Sequence, residues 1–93
     1  MEKKLVKIIW NDSYGVSSGW QDIENYNANE LLIESVGFVI DENEKTVALA
    51  HNYAKATELT PEQANGIMVI PKNCIVSTFV LMDVELELKL QHS

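Results

Sequence analysis

Nucleophilic catalysis needs a thiol or hydroxyl, a base within hydrogen-bond reach and a third group that orients the base. This chain offers one cysteine, Cys74, and two histidines, His51 and His92. His51 falls inside an alternating apolar run, where it is expected opposite Val36 as a core-edge histidine with a satisfied hydrogen bond, and His92 is the penultimate residue. Cys74 follows a short polar turn and precedes an apolar run, the setting of a free core cysteine. The residues therefore assign no catalytic role, and the chain reads as a non-enzyme without a cofactor. Metal chemistry finds no better footing. Asp41-Glu42-Asn43-Glu44 opens like a calcium loop, but its sixth position is Thr46 where Gly is needed and its twelfth is Asn52 where a bidentate Glu is needed. It reads as a solvated turn, and no metal is expected. Lys72 could touch a phosphate, but a turn lysine is usually only solvated.

Charge narrows the partners. Fourteen acidic residues oppose seven basic ones, for a net charge of −7, and every basic residue is lysine. Phosphate recognition leans on clustered basic side chains, with arginine for bidentate contacts. Only Lys3, Lys4 and Lys7 are grouped, so broad nucleic-acid binding is disfavoured. A lone cysteine permits no internal disulfide, which fits a reducing cytoplasm. The N-terminus MEKKLVKIIW lacks the apolar core of a signal peptide, and no apolar run is long enough to cross a bilayer as a helix.

The elements that must position any site are strands. At 93 residues and 46% hydrophobic content the chain is long enough for one domain with a modest core. Val36, Phe38 and Ile40 alternate before the turn at 41–44, and Val47 and Leu49 alternate after it, predicting a hairpin in which Ile40 faces Val47 and Phe38 faces Leu49. Gly37 inside a strand costs roughly 0.5–1 kcal/mol relative to alanine, so a bend or bulge is expected there. Leu5, Val6, Ile8, Ile9 and Trp10 make a first strand apolar on both faces, as a central strand would be. Strands are predicted at 4–10, 31–41, 46–53, 66–71 and 75–82, with Ile75, Ser77, Phe79 and Leu81 sharing a face of the last. A helical turn is predicted near 21–26, and a short helix from the Thr60-Pro61-Glu62-Gln63 capping pattern, ended by Asn65-Gly66.

Residues 11–30 form a connection longer than compact domains usually carry without a task. Tyr14, Trp20 and Asp22 lie on it and, with Lys72 and Asn73 of the later turn, are the candidate partner-binding residues; Trp20 also suits a packing role. The last segment, 83–93, alternates strictly: Val84, Leu86, Leu88 and Leu90 on one face, Glu85, Glu87 and Lys89 on the other. As a strand it is an apolar ribbon that must cover something, its own sheet or another copy, although its Leu, Glu and Lys individually prefer helix. Residues 1–82 are thus read as one β domain and 83–93 as a C-terminal β-tail and candidate oligomerisation arm.

Trp10-Asn11-Asp12-Ser13, Ser18-Gly19-Trp20, Ser35-Val36-Gly37-Phe38-Val39-Ile40 and Ile70-Pro71-Lys72-Asn73-Cys74-Ile75 stand in an order that resembles a group of small, mostly uncharacterised bacteriophage and prophage proteins. Their pattern is roughly W-x-D-S, G-W, S-V-G-[WF]-[VL] and V-I-P-K-x-x-I. The resemblance covers about residues 5–82. It implies a small five-stranded antiparallel SH3-like or Sm-like barrel, with the Ile-Pro-Lys turn just before the last strand, and it implies no catalytic activity. The Sm family reads RNA with an Arg-Gly pair near that turn; here Lys72-Asn73 stands there, so RNA binding does not follow. Two readings remain. One is a homo-oligomeric accessory module of the bacterial cytoplasm that binds a host or phage protein. The other is a single-stranded nucleic-acid binder that stacks bases on Tyr14, Trp20 and Tyr53.

Overall fold

A computed structural model describes residues 3–83. The tail residues Val84, Leu86, Leu88 and Leu90 lie outside the described residues. Five strands form one antiparallel sheet: β1 (Lys4–Asp12), β2 (Leu31–Glu42), β3 (Thr46–Ala54), β4 (Gln63–Pro71) and β5 (Ile75–Asp83). Their order across the sheet is β4-β3-β2-β1-β5. β1 pairs with β2 on one side and β5 on the other, with Val6 and Ile8 buried on one face and Leu5 and Ile9 half-buried on the other.

The turns are built by side chains that were legible as turn formers. Asn43 Oδ1 accepts the backbone N–H groups of Lys45 and Thr46 at 2.8 and 2.9 Å, closing the β2–β3 turn. Pro71 ends β4, and Lys72–Cys74 make a single 3-10 turn before β5. The Lys72 N–H donates to the Lys45 carbonyl at 2.7 Å, tying that corner to the β2–β3 turn.

The core consists of Val6, Ile8, Val47, Leu49 and Ile70, with Trp10, Val39 and Ile75 packed against it. Ile70 lies on β4 and Ile75 begins β5, the two outer strands of the sheet. In a flat sheet with neighbours about 4.8 Å apart those strands would stand roughly 19 Å from each other. Ile8 and Ile70 are 1% and 0% exposed, which a single flat sheet cannot provide, so the sheet curls strongly with the core on its concave face. Curling stops short of closure. No ladder joins β4 to β5 among the described residues, so the sheet is open with two edges and the expected barrel is not seen.

Three expectations are corrected. Val39 pairs with Leu49 and Phe38 with Ala50, and a bulge between Val39 and Asp41 then sets Glu42 opposite Val47. The hairpin is thus shifted from the predicted pairing by one residue before the bulge and by two after it, and Val39 reaches the core while Val36 is exposed. Gly37 does not hold the bulge. It sits where a Cβ would come within 2.9 Å of the Ala50 carbonyl oxygen, so its role is close approach of β2 to β3. On β5, register shifts beside Leu5/Val6 and Ile9/Trp10 break the predicted face, and Phe79 and Leu81 are exposed.

The predicted helix at Thr60 does not form. Thr57 Oγ1 accepts the N–H groups of Leu59 and Thr60 at 3.2 and 3.0 Å, and its hydroxyl meets that of Thr60 at 2.7 Å. The would-be cap is spent on a turn, and Gln63–Pro71 joins the ladder of β3 instead. Gly66, expected as a helix stop, lies inside β4 with φ of 66°, its Cα close against His51. His51 is exposed and lies across from Gly66 of β4, and the Phe38–Ala50 pairing on the β2 side sets it one residue away from Val36. Residues 21–26 hold one turn, Tyr26 N–H to Ile23 carbonyl at 3.3 Å, and no helix.

Candidate interaction surface

The connection from β1 to β2 is held by its own polar groups. Tyr14 Oη donates to the Asn29 carbonyl at 2.6 Å, pinning the two ends of the loop together. Asp22 accepts the Glu24 N–H at 3.2 Å through one oxygen and the Asn25 side-chain amide at 2.6 Å through the other. Gln21 reaches back to the Gly19 carbonyl at 3.4 Å. Asn, Asp and Ser favour such local bonds over regular ladders, which is why this stretch folds on itself without strand or helix.

That scaffold leaves its apolar side chains outward. Trp20 is fully exposed and Ile23 is 90% exposed, so among the described residues Trp20 packs against nothing and its packing role is overturned. Ile23 was missed in the sequence because one isoleucine among polar residues has no period to betray it. Residues 11–30 also carry Asp12, Asp22, Glu24 and Glu30 and no lysine, so the two apolar side chains stand on an acidic loop.

Lys72 and Asn73 are not part of this surface. They occupy the corner beside the β2–β3 turn, whereas the loop precedes the other end of β2, twelve residues away or roughly 36 Å along a straight strand. Lys72 Nζ also lies 2.7 Å from Glu42, so it is engaged by a carboxylate. The candidate residues therefore separate into Tyr14, Trp20 and Asp22 at one place and Lys72 and Asn73 at another. Tyr14 is structural through its hydroxyl. Tyr53 packs its ring 5.7 Å from that of Phe38, so Tyr14, Trp20 and Tyr53 do not make one stacking platform.

Tyr53 belongs instead to a cluster that no sequence spacing announces. Lys3 is only 8% exposed, its Nζ 3.2 Å from Glu62 and 5.8 Å from the centre of the Tyr53 ring. Tyr53 Oη donates to the other Glu62 oxygen. A buried ammonium is costly unless paired, and Glu62 supplies the pair. The Tyr53 hydroxyl, and then Lys3, hold the Glu62 carboxyl below its ordinary 4.5, while the same hydrogen bond raises the Tyr53 hydroxyl above 10.0. Glu62, with a depressed folded value, contributes stability that is present above 4.5 and lost as pH falls through the lower folded value. Tyr53, with a raised value, contributes stability present below 10.0 and lost as pH rises through the higher one. Glu62→Gln is therefore expected to lower the urea midpoint at pH 7, with the gap to wild type closing under strong acid. An equal gap at pH 3 and pH 7 would refute the assignment.

A second feature lies on the concave face. A groove of about 720 Å³ is walled by Val6, Ile8, Val39, Val47, Ile75 and Val80, with Lys4 and the Glu42–Lys72 pair at its polar margin. It is built from the core strands themselves and stays open because the sheet does not close.

Comparison with protein-family models, with curated proteins and with solved structures gives no match for this chain. Among the described residues no helix is long and apolar enough to cross a membrane.

Proposed function

We propose that this chain is a non-enzymatic, homo-oligomeric protein-interaction module, an accessory protein of the bacteriophage or prophage kind acting in the bacterial cytoplasm. The observation that carries the reading is the exposed Trp20–Ile23 tip on a loop fixed by its own hydrogen bonds. A tryptophan fully in water is unfavourable for the lone chain, while rigid aromatic anchors with a surrounding polar rim dominate the energy of protein interfaces. The acidic character of that loop suits a partner with an apolar pocket bordered by basic residues. The phage assignment rests on the order of the four sequence motifs, and the barrel they imply remains part of the proposal: the strongly curled five-stranded sheet and the Ile-Pro-Lys corner before β5 support it.

Homo-oligomerisation is supported by the two sheet edges. β4 exposes Ile67, Met68 and Val69, and β5 exposes Val76, Phe79, Val80 and Leu81. Long apolar edges with free backbone groups invite pairing with another chain. Nucleic-acid binding, the alternative, gains less support. Lys3, Lys7 and Lys72 are each within 3.3 Å of a carboxylate, and of the three aromatic candidates only Trp20 is without a neighbour among the described residues.

The test pairs wild type with a Trp20→Ala/Ile23→Ala variant, each tagged and recovered from bacterial cells that express it. Wild type is expected to retain a stoichiometric protein partner, and the variant to lose it by about 30-fold or more in affinity, as an interface anchor of 2 kcal/mol requires. Both should unfold within about 0.5 kcal/mol of each other, because neither side chain is packed. Equal retention would refute the loop as the binding surface. Salt-sensitive binding of single-stranded RNA or DNA at micromolar protein would favour the alternative.

A further inference from the structure

We infer that the alternating tail, residues 84–90, of one copy seats in the concave groove of a second copy. The inference rests on the homo-oligomer part of the function proposed above and says what holds the copies together. Three observations carry it. The first is the groove: exposed Val80 and half-buried Val39 and Ile75 line it over the buried Val6, Ile8 and Val47, at a curled sheet that is not closed among the described residues. An aliphatic surface of that kind is stabilised by an apolar occupant, and a strand with alternate apolar residues presents one continuous apolar edge.

The second is where the described chain ends. β5 pairs with β1 as far as Asp83 opposite Lys4, and Lys4 and Val80 both border the groove. The next residues supply what the groove lacks: Val84, Leu86, Leu88 and Leu90, with Glu85, Glu87 and Lys89 between them. Lys4 at the margin of the groove complements a tail glutamate, Lys72 there being paired already with Glu42.

The third decides between the chain's own groove and a neighbour's. To cover its own groove the chain must reverse direction after Asp83. From Phe79 to Leu90 there is no Gly, Pro or Asn, and Asp83 is the one turn-forming residue. Reversals need residues that tolerate turn dihedrals, and an alternating sequence without them favours continuing in one direction. A ribbon that leaves its own sheet straight reaches its apolar cover on a second molecule. The exchange is reciprocal in a two-fold dimer, each tail filling the other groove.

Two measurements on the full chain test this. Light scattering at micromolar concentration is expected to give a multiple of the chain mass for wild type and a single-chain mass for Leu86→Asp/Leu88→Asp, whose melting should otherwise match that of diluted wild type. In a Cys74→Ser background, copies carrying Thr78→Cys in the groove are mixed with differently tagged copies carrying Leu88→Cys and oxidised. The expected product is a disulfide between the two kinds of copy, at least five times more abundant than that between two Leu88→Cys copies. Chains carrying both cysteines that link only within themselves would overturn the exchange, as would the absence of any preference. An assembled wild type whose mass ignores the aspartates would overturn this inference while leaving the oligomer reading intact. A wild type that is a single chain at all concentrations would overturn both.

Discussion

Replacing Gly37 by valine is expected to destabilise the chain by about 3 kcal/mol or more, roughly a 12–24 °C fall in melting temperature for a domain of this size. Local propensity predicts the opposite sign. Valine is a strong strand former and glycine a poor one, so at an unconstrained strand position the change would stabilise by several tenths of a kcal/mol to about one. The structure reverses that because the position has no room. A Cβ at Gly37 would stand 2.9 Å from the Ala50 carbonyl oxygen and 3.2 Å from the Leu49 Cβ. The nearer atom is backbone, held in the β2–β3 ladder, so it cannot rotate away as a side-chain end would. Relief requires β3 to move from β2 at the residues that bring Leu49 into the core, 3% exposed, and Ala50 to complete burial. Against a total stability of roughly 5–14 kcal/mol for 93 residues, that loss is large. Gly15→Ala and Gly19→Ala are the controls. A Cβ at either meets nothing within 4 Å, and both should fall within about 0.5 kcal/mol of wild type. A Gly37→Val protein as stable as these would disprove the close approach of the two strands.

Ile8→Ala is expected to cost about 2–5 kcal/mol, read as a lower urea midpoint with an unchanged slope. Ile8 is 1% exposed, lies on the central strand opposite Ser35 and Thr78, and belongs to the cluster that joins Val47, Leu49 and Ile70 across the curled sheet. Truncation removes three carbons from the middle of that cluster, and both ladders of β1 resist the collapse that would fill the space. The groove adds a second consequence, since Ile8 is also one of its walls. Leu59→Ala is the matched control, because Leu59 is 94% exposed and should change stability by no more than about 0.5 kcal/mol. Equal effects at the two positions would mean that the core lies elsewhere.

What the sequence by itself determined is the strands and the turns between them. Alternation at Val6-Ile8-Trp10 and at Val47-Leu49, the Asp41–Glu44 turn and the Ile70-Pro71-Lys72 corner are local signals, set by side-chain period, by Asn43 and by the fixed φ of proline. They placed β1, β2, β3 and β5 to within a residue or two of their observed bounds. The tertiary structure alone decided the phase between strands. A bulge at the Val39/Asp41 step inserts one residue without altering the alternation on either side, so periodicity could not show that Val39, and not Val36, reaches the core. It also decided the fate of Thr60-Pro61-Glu62-Gln63, where a pattern that can open a helix lost to a local turn and to the ladder with β3. For the candidate site the same division holds. Composition and length marked residues 11–30 as a connection with a task, and named Trp20. Only the fold showed that Trp20 has no packing partner among the described residues. The fold also joined Lys3 to Glu62 and Tyr53 across the length of the chain, and turned the core side chains of an unclosed sheet into a groove.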